Sequence, residues 1–255
     1  MDIKNIFKRI IYYLSVPKCI KCSEILDFED KALCKSCLRE YYEIKQKKCS
    51  ECKKLYSECL CVNDYLFNRK VHKLVKIFRY KPPATPNERI SANELIYQLK
   101  RNYRKDIVDF LSDELVNSIK ASGIKYEKFL ITNIPRSKAR VVKYGLDHSE
   151  KIAKALAKKL NIEYIKILKS NSKKAQKKTF GDERYSNVSY SLIDEGINLE
   201  GEKIFILDDI VTTGASMGQA GILIKSLGAK QIVGIAVAIA YKDKYIPFDV
   251  TDRFS

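Results

Sequence analysis

The chain has no run of about 20 apolar residues, so no membrane-spanning helix is expected. Residues 6–16 are basic and then apolar, but the run is short, and Pro17-Lys18-Cys19 offers no small-residue cleavage site. The segment therefore reads as a short helix packed on the cysteine-bearing residues after it, and a cytoplasmic location is expected. Histidine is scarce: His72 and His148 are the only two. A near-neutral pKa alone does not mark a catalyst, so neither is assigned a catalytic role, and His72 reads as a surface residue. Acidic side chains are the minority charge, 31 against 48 Lys+Arg, for a net charge of +17. Such an excess favours polyanions: nucleic acid, nucleotides or anionic lipid. A solvated, lysine-rich surface gives the same balance. Internal repeats and coiled-coil heptads are absent, and no cysteine lies beyond position 61.

All eight cysteines lie in a segment with little apolar periodicity. Cys19, Cys22, Cys34 and Cys37 read C-x2-C-x11-C-x2-C, and Cys49, Cys52, Cys59 and Cys61 read C-x2-C-x6-C-x-C. Two such knuckles can place four thiolates tetrahedrally around zinc, and a closed four-thiolate site is structural. One or two structural Zn2+ are expected, and the spacing leaves cross-braced pairing between quartets open. Disulfides would need an oxidising compartment. Metal then supplies much of the folding energy of residues 1–64.

Residues 65–125 form a helical middle part. Residues 66–80 read as a basic amphipathic helix, with Val71, Leu74, Val75 and Phe78 on one face. A proline loop comes next at 81–86, then helices over 91–101 and 107–119. From residue 126 strands and helices alternate, with strands at 129–134, 164–168, 203–207 and 231–240 and helices at 149–160 and 217–227. That order implies a parallel sheet. Residues 170–184 are polar and lysine-rich and read as a mobile loop. The expected division is a zinc-binding domain, 1–64, and an α/β domain, 65–255, with its core at 126–255.

The densest chemistry is at 204–216. Ile204-Phe205-Ile206-Leu207 suits a strand buried on both faces. It delivers Asp208 and Asp209 to its carboxyl end, where open α/β sheets bind ligands. Thr212, Thr213, Gly214, Ala215 and Ser216 then open a helix whose N–H groups and hydroxyls can hold an anion. Carboxylates for sugar hydroxyls beside a phosphate cradle suit a ribose 5-phosphate group. The run resembles the phosphoribosyl-pyrophosphate (PRPP) signature of type I phosphoribosyltransferases.

Together, the cysteine knuckles, the basic segment and this motif resemble the ComF family, over nearly the whole chain. Arg79-Tyr80-Lys81 is similar to the family's lysine–aromatic element, and Ile134-Pro135-Arg136-Ser137 to its pyrophosphate loop. Gln176, Arg184 and Asn187 match its Gln…Arg…Asn-Val segment. Residues 140–149 depart from an Arg-x-x-Arg-Gly-Phe-Asn-Gln pattern: Lys143-Tyr144-Gly145-Leu146-Asp147-His148 lacks the arginine and the amide. The resemblance implies a type I phosphoribosyltransferase-like parallel sheet flanked by helices, with a small N-terminal zinc-binding domain. It implies that Asp208 and Asp209 hold the ribose hydroxyls while residues 212–216 wrap the 5-phosphate. Arg136 and Ser137, with Lys138 beside them, would flank the leaving pyrophosphate, and the 170–184 loop with Arg184 reads either as a closure over it or as a solvated loop. Mg2+ would accompany PRPP, bound mainly by the ligand's own oxygens. The implied roles are transfer of phosphoribose to an amine or base, and handling of single-stranded DNA with DNA-uptake proteins. A salvage or amido-type phosphoribosyltransferase with no DNA role is the rival expectation.

Overall fold

The computed structural model describes residues 16–81, 83–85, 88–101, 104–137, 141–142, 146–171, 190–240 and 245–246. Its centre is a parallel four-stranded sheet of order β2-β7-β6-β3. These strands are β2 (Lys73–Arg79), β3 (Phe129–Asn133), β6 (Lys203–Val211) and β7 (Gln231–Ile239). Tyr164 adds a single parallel bridge to Ile131 at the β3 edge. Two small antiparallel pairs lie apart: β1 (Val62–Asn63) with β8 (Tyr245–Ile246), and β4 (Leu168–Ser170) with β5 (Tyr190–Leu192).

Strand alternation divides the core into two layers. Phe205, Leu207, Val233 and Ile235 face helices α3 (Ser91–Arg101), α4 (Lys105–Ala121) and α5 (His148–Leu160), where Leu95, Leu111 and Leu156 are fully buried. Ile204, Ile206 and Ile232 face α6 (Ala215–Ser226), through Met217, Ala220 and Ile224. The sheet is thus covered on both faces, which explains its unbroken apolar strands. Phe129 stacks on Phe205 across the β3–β6 pair, with ring centroids 4.1 Å apart.

The cysteine segment divides between these layers. Cys19, Cys34 and Cys37, with α1 (Lys35–Lys45), share the core of α3 and α4. Cys49, Cys59 and Cys61 share the core of α6 on the other face. Tyr41 of α1 is fully buried, and its hydroxyl donates to Glu114 of α4 at 2.6 Å.

Residues 66–80 do not form the expected helix. A short α2 (Asp64–Phe67) leads into a turn with Lys70 at φ 69° and then into β2. The physical reason is burial on two sides: Leu74 faces the α6 layer, while Val75 and Ile77 face α3 and α4. A helix would have left Ile77 off its single apolar stripe, whereas pairing with β7 buries both faces. His72 is half-buried rather than exposed, with its ring 4.7 Å from that of Phe67. The short strand expected at 164–168 is displaced, since regular pairing begins at Leu168. The motif strand runs on to Val211, so the paired carboxylates lie within β6 rather than beyond it.

Candidate functional site

Two adjacent carboxylates on one strand point to opposite sides, and their surroundings differ. Asp209 is 8% exposed, and its Oδ2 accepts from Arg136 Nη2 at 3.0 Å. Lys100 Nζ, at the end of α3, lies 3.3 Å from the same oxygen. Burial alone would raise the Asp209 pKa, but Lys100 and then Arg136 hold it below the ordinary carboxylate value. Asp208 has no such ion pair among the described residues. Its Oδ1 accepts from the Asp209 backbone N–H at 2.8 Å, and burial followed by the Asp209 charge pushes it well above its usual value. The pair is thus one charged acceptor beside one carboxyl that favours its proton. Two neighbouring hydroxyls, each both donor and acceptor, fit such a pair.

The loop after β6 begins one residue beyond Val211. Gly214 has φ 86° and caps α6, and its carbonyl accepts from Gly218 N–H at 2.7 Å. Thr213 Oγ1 accepts from Ala215 N–H at 3.2 Å, closing the turn. A cavity of about 240 Å³ opens here, lined by Asp208, Ile210, Val211 and residues 212–217. Its floor is a helix amino terminus, which favours anions. Cavities of about 410 and 480 Å³ lie at the amino ends of the strands and between α1 and α4, away from both carboxylates.

The segment after β3 is fixed from three sides. Ile134 N–H donates to the Leu207 carbonyl at 2.9 Å, Arg136 N–H to Asp147 Oδ2 at 2.9 Å, and Arg136 Nη2 to Asp209. Asp147 also caps α5, accepting from Glu150 N–H at 3.3 Å. The structure therefore brings Asp208, Asp209, Arg136 and residues 212–216 to one edge of the sheet, with Ser137 next in the chain. Lys138, residues 143–145, Gln176, Arg184 and Asn187 lie outside the described residues.

Two neighbours of the carboxylates and their loop, Lys100 and Asn63, were not anticipated from sequence. Lys100 comes from a helix more than a hundred positions before Asp209, and no local pattern marks it. His148 is fully buried at the start of α5, with neither ring nitrogen partnered among the described residues. Asn63 donates from Nδ2 to the Thr213 carbonyl at 3.1 Å. Only Asp147 carried a local signal, an Asp three residues before Glu150 that suits a helix start.

Each cysteine quartet converges. The sulfurs of Cys19, Cys22, Cys34 and Cys37, and those of Cys49, Cys52, Cys59 and Cys61, lie within 4.8 Å of one another. Cys22 and Cys34 Sγ are 3.6 Å apart, close to the roughly 3.8 Å between ligands of a tetrahedral zinc thiolate site. The knuckle turns match: Ser23 N–H donates to the Cys19 carbonyl and Lys53 N–H to that of Cys49, with φ of 65° and 59°. Both quartets fit zinc, each within one knuckle pair rather than cross-braced.

A family model described as a phosphoribosyl transferase domain matches residues 145–254. Among curated proteins, the competence protein ComFC of Streptococcus pneumoniae is 25% identical over 233 residues, covering 84% of this chain and 96% of that protein. The chain is thus similar to a ComFC protein over most of its length and carries a phosphoribosyl transferase domain match in its second half. Solved structures similar to this chain include a purine phosphoribosyltransferase from Pyrococcus horikoshii (TM-score 0.33, 16% identity, 57% of this chain, 93% of that one). Another is adenine phosphoribosyltransferase from Saccharomyces cerevisiae (TM-score 0.39, 17% identity, 63% of this chain, 83% of that one). The fold is a parallel sheet flanked by helices of the phosphoribosyltransferase type, and the cysteine clusters fit an N-terminal zinc-binding region. Among the described residues no helix is long and apolar enough to cross a membrane.

Proposed function

We propose that this is a ComF-type protein that binds PRPP at the carboxyl end of β6, with residues 1–64 as its zinc-binding part and 65–255 as its transferase-like part. The observation that carries the reading is the shared cavity of Asp208 and the 212–216 loop, with Asp209 and Arg136 beside it. Asp209 accepts from one ribose hydroxyl while the Asp208 carboxyl serves the other. Loop N–H groups and the hydroxyls of Thr212, Thr213 and Ser216 surround the 5-phosphate. Arg136, with Ser137, faces the pyrophosphate, and Lys138 and Arg184 are assigned to the same group. The donor set offers no free carboxylate cage, because Asp209 is taken up by two cations and Asp208 favours its proton. Mg2+ therefore fits as a companion of the ligand's diphosphate oxygens rather than as a protein-caged ion.

Transfer from such a site needs stabilisation of an oxocarbenium-like sugar and of departing pyrophosphate, which is electrostatic work. Asp209 faces the developing positive charge, and Arg136 the leaving anion. The test is calorimetry with PRPP and Mg2+, and then pyrophosphate release with candidate amine and base acceptors. Wild type should bind, and the double variant Asp208→Asn/Asp209→Asn should bind at least about tenfold more weakly while keeping its circular dichroism. Retained affinity in that variant refutes the assignment of the carboxylates. Binding without pyrophosphate release for any acceptor refutes the enzyme reading alone.

A cytoplasmic role in taking up single-stranded DNA is proposed alongside. Its support is the net charge of +17 and the competence protein that the chain resembles. A basic helix at 66–80 no longer supports it, since Lys76 is buried and residues 73–79 are a strand. Phosphate-borne binding should fall linearly on a log–log salt plot, and binding insensitive to salt would contradict it.

A further inference from the structure

The second cysteine quartet and the phosphate loop are joined by one side chain. Asn63 lies two residues after Cys61 and is 2% exposed. Its Nδ2 donates to the Thr213 carbonyl at 3.1 Å, and its Oδ1 accepts from Leu66 N–H at 3.0 Å. A single amide thus fixes the loop and the first turn of α2 together. The residues it starts then press on the same structure. A Cβ on Gly214 would lie 2.8 Å from Leu66 Cγ, and one on Gly218 would lie 2.6 Å from Arg69 Cδ.

Lys76 ties the quartet to the sheet. It is fully buried in the middle of β2, and its Nζ donates to the carbonyls of Cys61 at 2.8 Å and Leu74 at 3.2 Å. Leu74 N–H in turn donates to the Leu60 carbonyl at 3.1 Å, so residues 60–61 are stitched to β2. No carboxylate pairs with Lys76 among the described residues. A buried ammonium without an anion is strongly unfavourable. Four thiolates around one divalent ion carry a net negative charge, and the Lys76 ammonium sits on the carbonyl of Cys61, a member of that quartet.

We propose that Asn63 is a positioning residue for the ribose-phosphate cradle, and that it holds the cradle only while the second quartet is metal-loaded and charge-compensated by Lys76. The ligand half of this proposal rests on the phosphoribosyl reading of the 212–216 loop. The loop's own half does not.

Asn63→Asp separates the two bonds. Aspartate caps a helix as well as asparagine, so Leu66 keeps its acceptor, while the donor to Thr213 becomes an oxygen facing a carbonyl. In the full-length, zinc-loaded chain, Asn63→Asp should retain as much zinc as wild type. Its 212–216 amides should exchange hydrogen faster, and ribose 5-phosphate should bind about tenfold more weakly. Lys76→Met, which keeps the apolar stem, should lose one quartet's zinc to a chelator before wild type does, and should show the same faster exchange at 212–216. A merely structural role for Asn63 would lower the thermal midpoint and leave loop exchange unchanged; that result overturns the proposal. Wild-type zinc retention in Lys76→Met overturns its metal half. If wild type itself binds no ribose 5-phosphate, the phosphoribosyl reading fails, while the exchange comparison still decides the role of Asn63.

Discussion

At the scale of single residues, equal chemistry becomes unequal through surroundings. Asp208 and Asp209 are adjacent and identical in type. Lys100 and Arg136 make Asp209 the anion, and that anion helps keep the proton on Asp208. The motif announced both carboxylates but not their difference, because the deciding cations come from α3 and from the loop after β3. Gly214 was legible for the right reason, since a turn that opens a helix against a phosphate wants no side chain. The structure adds a second reason: the Leu66 side chain fills the space a Cβ would need. Gly214→Ala should therefore cost about 2 kcal/mol or more, combining left-handed strain with overpacking. Urea unfolding measures it. Adding Leu66→Ala should recover none of the strain at φ 86°. A Gly214→Ala protein as stable as wild type would show that neither term operates.

At the scale of elements, local pattern served where an element is covered on both faces or has one clean stripe. The strands at 129–133 and 231–239 and the helices α3 to α6 lie where periodicity put them, and the strand expected at 203–207 runs on to Val211. It failed at β2 because Lys73, Lys76 and Arg79 recur every third residue, as a solvated helical face would. One of those lysines is instead a buried group that only tertiary neighbours explain. The start of α5 was underrated in the same way. The sequence starts that helix at residue 149 and assigns His148 no role, yet the fold buries it beside Lys100 and Arg136. Burial, then the Arg136 charge, lowers its pKa from 6.5 to about 4, against the pull of Asp209. The unfolded chain therefore binds more protons than the folded one between these two values. Stability is full above about pH 6.5 and falls as pH drops toward 4, by about 2 kcal/mol between pH 7 and pH 5 from this residue. Denaturant unfolding at those two pH values should show the loss, and His148→Gln, which cannot titrate, should show a loss smaller by that amount. An identical slope in the variant would mean that other groups carry the acid sensitivity.

At the scale of the whole molecule, the cysteine segment spans both layers of the core. The spacing of eight cysteines made zinc legible, but not the placement of the quartets on opposite faces of the sheet, which depends on long-range packing. Leu26, Leu33 and Tyr41 are buried in the same cluster as Leu95 and Leu111. Glu114 Oε2 accepts from both Tyr41 Oη at 2.6 Å and Lys45 Nζ at 2.7 Å. That contact offsets the cost of burying the Tyr41 hydroxyl. Metal removal should consequently reach beyond the knuckles. Burial pushes the Cys34 thiol up to about 11, and the Cys61 thiol with burial pushes Cys59 up to about 12. Metal must displace those protons, so its affinity falls as pH falls and a chelator acts faster in mild acid. Once stripped, residues 16–61 lose their turns, and α4 and β2 lose the surface packed on them. The expected outcome is a single unfolding transition shifted to lower temperature, with near- and far-ultraviolet circular dichroism moving together. Two transitions, with the later one at the wild-type midpoint, would instead show a sheet domain that stands without its knuckles. Glu114→Ala provides the independent arm. It leaves the cysteines untouched but strands Tyr41 and Lys45, and should lower stability by about 3 kcal/mol while zinc content stays at the wild-type level.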